Sequence, residues 1–314
     1  MIGPRRPKSL TNISMTEWII SIAGTPEGAR WATMLALMSA VAHAVFGALQ
    51  KGRHDPWLMR GSIDAWLVVI SAPVAFFLVP WPTTSTFMIL IGAMIVHFAY
   101  KVTVALAYER AAYTVVYPVI RGTGPLVTVV GASVFLGEYF APLQWAGVAC
   151  LSCAMLFLAL RNMAAEKVDL RSLKIGLIWA FAGGMLVAIY TVWDAYGIRQ
   201  SPDPFTFLAW FFFLTALDFP ILAALRYRRT GAPGGMGSLL RRGLVGAVIA
   251  WASFGGLMMA TRLGGVGEAA VLRETSTVFA ALIGWFILGE TVGPRRLLLM
   301  ALIALGAVMV QLGG

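Results

Sequence analysis

The most constraining feature of this chain is a recurrence. From Trp31 to the C-terminus, apolar runs of about 20 residues follow one another with only short polar interruptions. A run of that length crosses the hydrocarbon core of a bilayer as a helix. Lipid offers no partner for an unpaired backbone group, so a helix is the form such a run takes. The runs are too long and too continuously apolar for barrel strands. Composition agrees: 59% of the 314 residues are hydrophobic and 12% charged, where a soluble domain carries roughly a quarter charged. The expected fold is an all-α membrane protein of about ten transmembrane helices.

The expected spans lie near 31–50, 63–80, 86–108, 113–136 and 142–160, then 173–195, 205–225, 240–262, 266–288 and 294–312. Turn residues mark the joins, among them Asp55-Pro56, Pro80-Trp81-Pro82, Gly137-Glu138, Pro202-Asp203-Pro204 and Gly289-Glu290. The stretch before the first span carries Arg5, Arg6 and Lys8, then Ile13, Trp18, Ile19, Ile20 and Ile22. It has no cleavable signal pattern and reads as a tail, 1–30, with a short surface helix. Cys150 and Cys153 sit inside an apolar run, where packing is their role rather than a disulfide framework.

The two halves match. YPVIRGTGPLVTVVGASVFLGEYFAP aligns with AVLRETSTVFAALIGWFILGETVGP, so that Arg110 falls on Arg262, Arg121 on Arg273, Thr123 on Thr275, Gly137-Glu138 on Gly289-Glu290 and Pro142 on Pro294. A second offset pairs Trp31 with Trp179, Lys51 with Arg199 and Asp55-Pro56 with Asp203-Pro204. The polar link from Arg161 to Lys174 divides a first repeat, 31–160, from a second, 173–312. An odd number of spans per repeat, about five, turns the second repeat over in the membrane, as in many secondary transporters.

At these residues the chain resembles the drug/metabolite transporter superfamily, specifically its two-domain EamA type. The resemblance covers about 31–312 and rests on the five-plus-five layout and the apolar-Leu-Gly-Glu ending of the fourth span in each half, FLGE 135–138 and ILGE 287–290. It implies alternating access around a central cavity lined by spans one, three, four, six, eight and nine, with proton coupling, exchange or export in many members. A subgroup with similar YPxxRGxxP and RETS wording is associated with phosphonate use. The resemblance also implies cytoplasmic termini. Loop charge points the other way, with Arg5, Arg6, Lys8, Arg30, Arg199 and Arg262 on the terminal side. Against them stand Lys51, Arg53, Arg60, Arg110, Arg161, Lys167, Arg171, Lys174 and the arginines of 226–242 and 295–296. The positive-inside rule therefore favours termini in the periplasm.

A charge at mid-bilayer costs about 2.5–3.5 kcal/mol, so ionisable residues within spans mark cavities or pathways. Arg121 and Arg273 are repeat mates, and Pro118, Gly122, Gly124 and Pro125 loosen the helix around Arg121. Two readings stand: a bidentate clamp for a carboxylate, phosphate or phosphonate, or a lock between repeats, Arg121 pairing with Glu274 or Glu268. His97 and Lys101, four apart, share a helical face and form a second candidate contact. Thr123, Thr275, Tyr190 and Tyr117 complete the expected substrate-binding set, and Glu268, Glu274 and Asp194 are expected to carry a coupling proton or ion. His43 reads as a packing residue, Asp218 as structural, and Glu138 and Glu290 as helix caps or partners of basic loop residues.

No H-E-x-x-H, G-x-S-x-G or phosphate-cradling loop occurs, and the three histidines are scattered. An enzyme is not expected, nor is a cofactor, a metal or a nucleic-acid partner; the +10 charge is spent on topology and headgroups. The expected function is a secondary transporter in a bacterial inner membrane. Its cargo is a small organic anion or a zwitterion such as an amino acid, organic acid or phosphonate. The rivals are an exporter of cationic or apolar compounds and, from another class, a membrane enzyme or channel. The bilayer and the small-molecule substrate are the partners, and the chain is a monomer or homodimer.

Overall fold

The computed structural model describes residues 14–50, 55–164, 169–231, 234–286 and 293–314. Lys51, Arg53, Lys167, Glu290 and the first thirteen residues, which carry several of the sequence expectations, lie outside the described residues. Every regular element among the described residues is a helix. In chain order they are α1 (Met15–Ile22), α2 (Pro26–Gln50), α3 (Pro56–Pro73, continued by a π turn Val74–Leu78), α4 (Thr84–Arg110), α5 (Tyr113–Leu136), α6 (Pro142–Ala164) and α7 (Leu170–Gln200). Then follow α8 (Pro204–Thr215), α9 (Asp218–Thr230), α10 (Met236–Leu263), α11 (Val266–Glu274), α12 (Ser276–Phe286) and α13 (Pro294–Leu312).

The helix starts are written in the sequence. Asp55, Asp169 and Asp203 accept the orphan N–H groups of α3, α7 and α8, with Pro56 and Pro204 in the first turn, where a missing N–H costs nothing. Gly137 stops α5 at φ 68°, a left-handed turn that costs glycine no steric strain.

Among the described residues, eight helices are long and apolar enough to cross a membrane: Pro26–Gly47, Pro56–Leu78, Thr84–Arg110, Thr114–Leu136, Pro142–Ala164, Leu170–Gln200, Pro204–Thr230 and Met236–Leu263. The ninth apolar segment is broken at Thr275 into α11 and α12, with Glu268, Arg273 and Glu274 concentrated in α11, and the apolar part of α13 is Leu297–Leu312.

Helix α2 packs on α10 and on α11–α12, α7 on α4 and α5, α3 on α8, α9 and α10, and α6 on α5 and α13. Lipid tails give no hydrophobic drive between helices, so close backbone approach matters. At the α6–α13 crossing a Cβ on Gly147 would lie 2.6 Å from the Gly306 carbonyl oxygen. Two ends of the bundle are distinguishable. At the terminal face, Gly24, Glu138, Gln144, Arg199, Asp203, Leu263 and Glu268 are joined by hydrogen bonds, and Thr16 of α1 donates to Asp203 at 2.8 Å. At the opposite, basic face, Arg226 pairs with Asp55 at 3.0 Å and with Glu109 at 3.6 Å.

Gly147→Val is expected to lower the thermal midpoint of the purified protein by an overpacking cost of about 1–3 kcal/mol. Gly237, whose added Cβ would meet nothing within 4 Å, serves as the control: Gly237→Ala should leave the midpoint unchanged or raise it.

Candidate functional site

Three clusters of buried polar groups lie within the bundle. The first joins α5 to α11–α12. Pro118 and Pro125 lack N–H groups, so α5 has free carbonyls; Asn162 takes one of them, that of Thr114, at 2.7 Å. Between the two prolines sits Arg121. Its Nε is 3.0 Å from Glu274 Oε2, its Nη2 donates to Ser276 Oγ at 3.1 Å, and its Cζ is 5.6 Å from the Tyr117 ring centre. An ion pair thus joins Arg121 of α5 to Glu274 of α11.

Arg273 is in a different position. It is 2% exposed, and no carboxylate lies within 4 Å of it among the described residues. Its guanidinium stacks on Phe254 at 4.2 Å, and its Nε has no hydrogen-bond partner. Its Nη2 is 3.3 Å from His43 Nδ1. Arginine only donates, so His43 accepts through Nδ1 and its ring proton belongs on Nε2. His43, read from sequence as packing, is therefore a contact of Arg273.

The second cluster lies on α4 and α7. His97 Nε2 and Asp194 Oδ2 are 2.7 Å apart, and the Tyr190 ring lies 4.4 Å from the imidazole and 5.1 Å from the Tyr100 ring.

The third surrounds Lys101. Its Nζ donates to Asp64 Oδ2 at 2.9 Å, to the Thr215 carbonyl at 2.7 Å and to Asp218. The Thr215 carbonyl is free because α8 ends there and α9 starts at Asp218. Arg60 Nε adds a second cation, 2.9 Å from Asp64 Oδ1. Sequence reasoning missed Asp64. Its signal was Arg60, one turn earlier on the same helix, which reads as a loop charge until the span is extended to Pro56.

Between these clusters a cavity of about 310 Å³ reaches inward from the basic face, where Pro56, Ala111 and Ala112 line it. Its inner wall holds His43, Tyr100, Lys101, Tyr117, Arg121 and Phe254. Arg60, Lys101 and Arg121 give the wall three cations, and no Asp or Glu stands among the described lining residues. Arg273 lies behind Phe254 and His43. The other expected residues fall elsewhere. Thr123 packs against Gly184, whose added Cβ would sit 2.7 Å from the threonine Cβ, and Thr275 donates to the Leu272 carbonyl at the α11–α12 break. Glu268 is at the terminal face, accepting from Gln144 at 2.9 Å.

A bundle of apolar membrane helices around a charged, solute-sized chamber defines a multi-pass membrane protein, and the comparisons name its kind. Residues 174–312 match the EamA-like transporter family, a family of membrane transporters in the drug/metabolite transporter superfamily. A solved crystal structure superposes with a TM-score of 0.71 at 18% identity, covering 91% of this chain and 97% of the other; at that identity the likeness is one of fold. No curated protein matches significantly.

Lys101→Met should destabilise the protein by about 3–5 kcal/mol, because it removes the cation shared by buried Asp64 and half-buried Asp218. Adding Asp64→Asn should recover part of that loss. A thermal-melt double-mutant cycle checks this, and strict additivity of the two losses would contradict the pairing.

Proposed function

We propose that the chain is a secondary transporter of the bacterial inner membrane that carries a small organic anion by alternating access, with Arg121 and Arg273 taking the acidic group. The observation that carries this reading is Arg273: a permanent cation, buried at span depth, with no carboxylate partner among the described residues. Such a charge is expensive until an anion joins it. Arg121, Arg273 and Glu274 together bear a net charge of +1, so one negative charge from the cargo neutralises the group.

The cavity wall supports an anion over the rival cationic cargo, since three cations and no described carboxylate line it. A zwitterion's ammonium is also poorly served. Asp194 is engaged by His97, Glu274 by Arg121, and Glu268 is at the terminal face. Of the three carboxylates expected to couple transport to an ion, Glu274 is the one in contact with Arg121, and in this reading it is the counter-ion that cargo displaces. Lys101, His97, Tyr190 and Tyr117 shape the wall, while Thr123 and Thr275 act through packing and the helix break.

About ten helices in two inverted five-helix repeats, 31–160 and 173–312, supply the machinery in this reading. Support comes from mirrored packing. The α2–α10 contact is answered by α7–α4, α2 with α11–α12 by α7 with α5, and α3–α10 by α8–α4. Each is the contact expected when the repeats exchange places.

Thermal stabilisation of the purified protein, screened across organic acids, phosphate esters, phosphonates and amino acids, tests the reading. Acids should stabilise the wild type, and Arg273→Gln should weaken the best of them by roughly 30-fold or more, the cost of losing one partner of a buried charge pair. Equal stabilisation of Arg273→Gln and wild type would end the anion assignment.

A further inference from the structure

On the terminal face, opposite the mouth of the cavity, four helix ends meet on one carboxylate. Gly137 ends α5 and delivers Glu138 across the bundle. Both oxygens of Glu138 accept from the Val266 N–H at 2.9 Å, and Oε2 accepts from the Gly267 N–H at 3.2 Å. The carboxylate thus caps α11, where the helix dipole favours a negative charge. Arg199, at the end of α7, donates to Glu138 Oε1 at 2.9 Å through Nη2. The same arginine donates to the Gly264 carbonyl at 2.7 Å and, through Nε, to the Thr261 carbonyl at 2.9 Å. Arg262 returns the link, its Nη1 donating to the carbonyls of Ile198 and Arg199.

This network joins α5 and α7 to α10 and α11. Glu138, Arg199 and Arg262 line an outer hollow of about 600 Å³ on the terminal face. Phe254 lines the inner cavity of about 310 Å³, and Val266, Ala270 and Val271 on α11 are buried. Nothing in anion binding by Arg121 and Arg273 needs Glu138, and a helix cap alone needs no arginine.

We infer that Glu138 and Arg199 form the latch that closes the terminal face, so that breaking their bonds to the end of α10 and the start of α11 opens the transport path on that side. The inference rests on the alternating-access reading of the preceding subsection. Each bond in the latch is local and half-buried, so it can break without unfolding a helix. Glu138 is the hub, because it bonds both the start of α11 and Arg199. When α11 and α10 part from α5 and α7, Glu138 loses its two backbone donors and Arg199 its two carbonyl acceptors at once, which makes the closed state cooperative. The latch residue belongs to the FLGE ending of the fourth span. That gives the glutamate a gating role where sequence reading offered only capping or pairing.

The test needs no knowledge of the cargo. Cys150→Ala and Cys153→Ala remove the native thiols from the full chain. Ala270→Cys then reports on the buried path one turn inside the latch, and Ala105→Cys reports on the cavity wall. Each is exposed, in sealed vesicles of either orientation, to a membrane-impermeant methanethiosulfonate reagent. Glu138→Gln keeps a carbonyl for the backbone donors but removes the charge that favours the α11 N-terminus and orients Arg199 toward the end of α10. It should speed labelling of Ala270→Cys from the terminal face by roughly tenfold, the effect of losing one charge-assisted bond on a two-state equilibrium. Labelling of Ala105→Cys from the basic face should slow. Unchanged labelling of Ala270→Cys overturns the latch. Should Glu138→Gln fail to fold, Arg199→Lys, which keeps the charge but cannot make all three bonds, is read by the same outcomes. Anion stabilisation plays no part in this readout. If Arg273→Gln abolishes stabilisation while Ala270→Cys labelling stays flat, the latch alone fails; the reverse pair of results removes the anion site and leaves the latch.

Discussion

A cation in hydrocarbon must be compensated, and the interior of this protein is organised by that requirement. Lys101 spends its three donors on two aspartates and a carbonyl freed by a helix break, and Arg60 balances the second aspartate. Arg121 faces Glu274. Arg273, with an aromatic face and a neutral imidazole for neighbours, has the weakest compensation of the four. A ring quadrupole is worth about 2 kcal/mol when desolvated, less than the cost of a buried unpaired charge. An otherwise well-matched interior with one under-compensated cation points to a partner that comes and goes.

The helix breaks follow the same logic. Span seven is interrupted between Thr215 and Asp218, where Lys101 needs a carbonyl, and the ninth apolar segment is interrupted at Thr275, beside Arg273 and Glu274. Irregular backbone is tolerated at such depth where side chains or a cavity take up the freed groups. The breaks, the buried ions and the cavity are therefore parts of one arrangement, and the uninterrupted helices around them supply the rigid wall.

Much of this was legible in the sequence because it rests on period and length. The apolar runs gave the helices, and Asp-Pro and Pro-x-Pro turns gave their joins. The repeat alignment gave the Arg121–Arg273 pair, and ion cost gave His97, Lys101 and Asp194 as buried groups. What was not legible depends on which helix meets which. Asp64 was hidden because Arg60 looked like a loop charge, and Lys101's partners come from α3 and from the α8–α9 break, more than a hundred residues away in the second case. Glu268 and Glu274 look equivalent in sequence, yet they lie six residues apart on α11, and only Glu274 reaches Arg121. Phe254 over Arg273 had no sequence signal, since one phenylalanine in an apolar run resembles any other.

The central claim is that a guest anion completes the charge balance at Arg273. Its most direct test is to locate a bound anion. Crystals or cryo-EM samples of the protein with a bromine-substituted benzoate, or another bromo-acid that stabilises it, would show where the acid group goes. The account predicts the carboxylate within ion-pair distance of Arg273, with the Phe254 ring displaced from the guanidinium. Density for the acid confined to the basic-face mouth or to lipid-facing grooves, with Phe254 still stacked on Arg273, would contradict it.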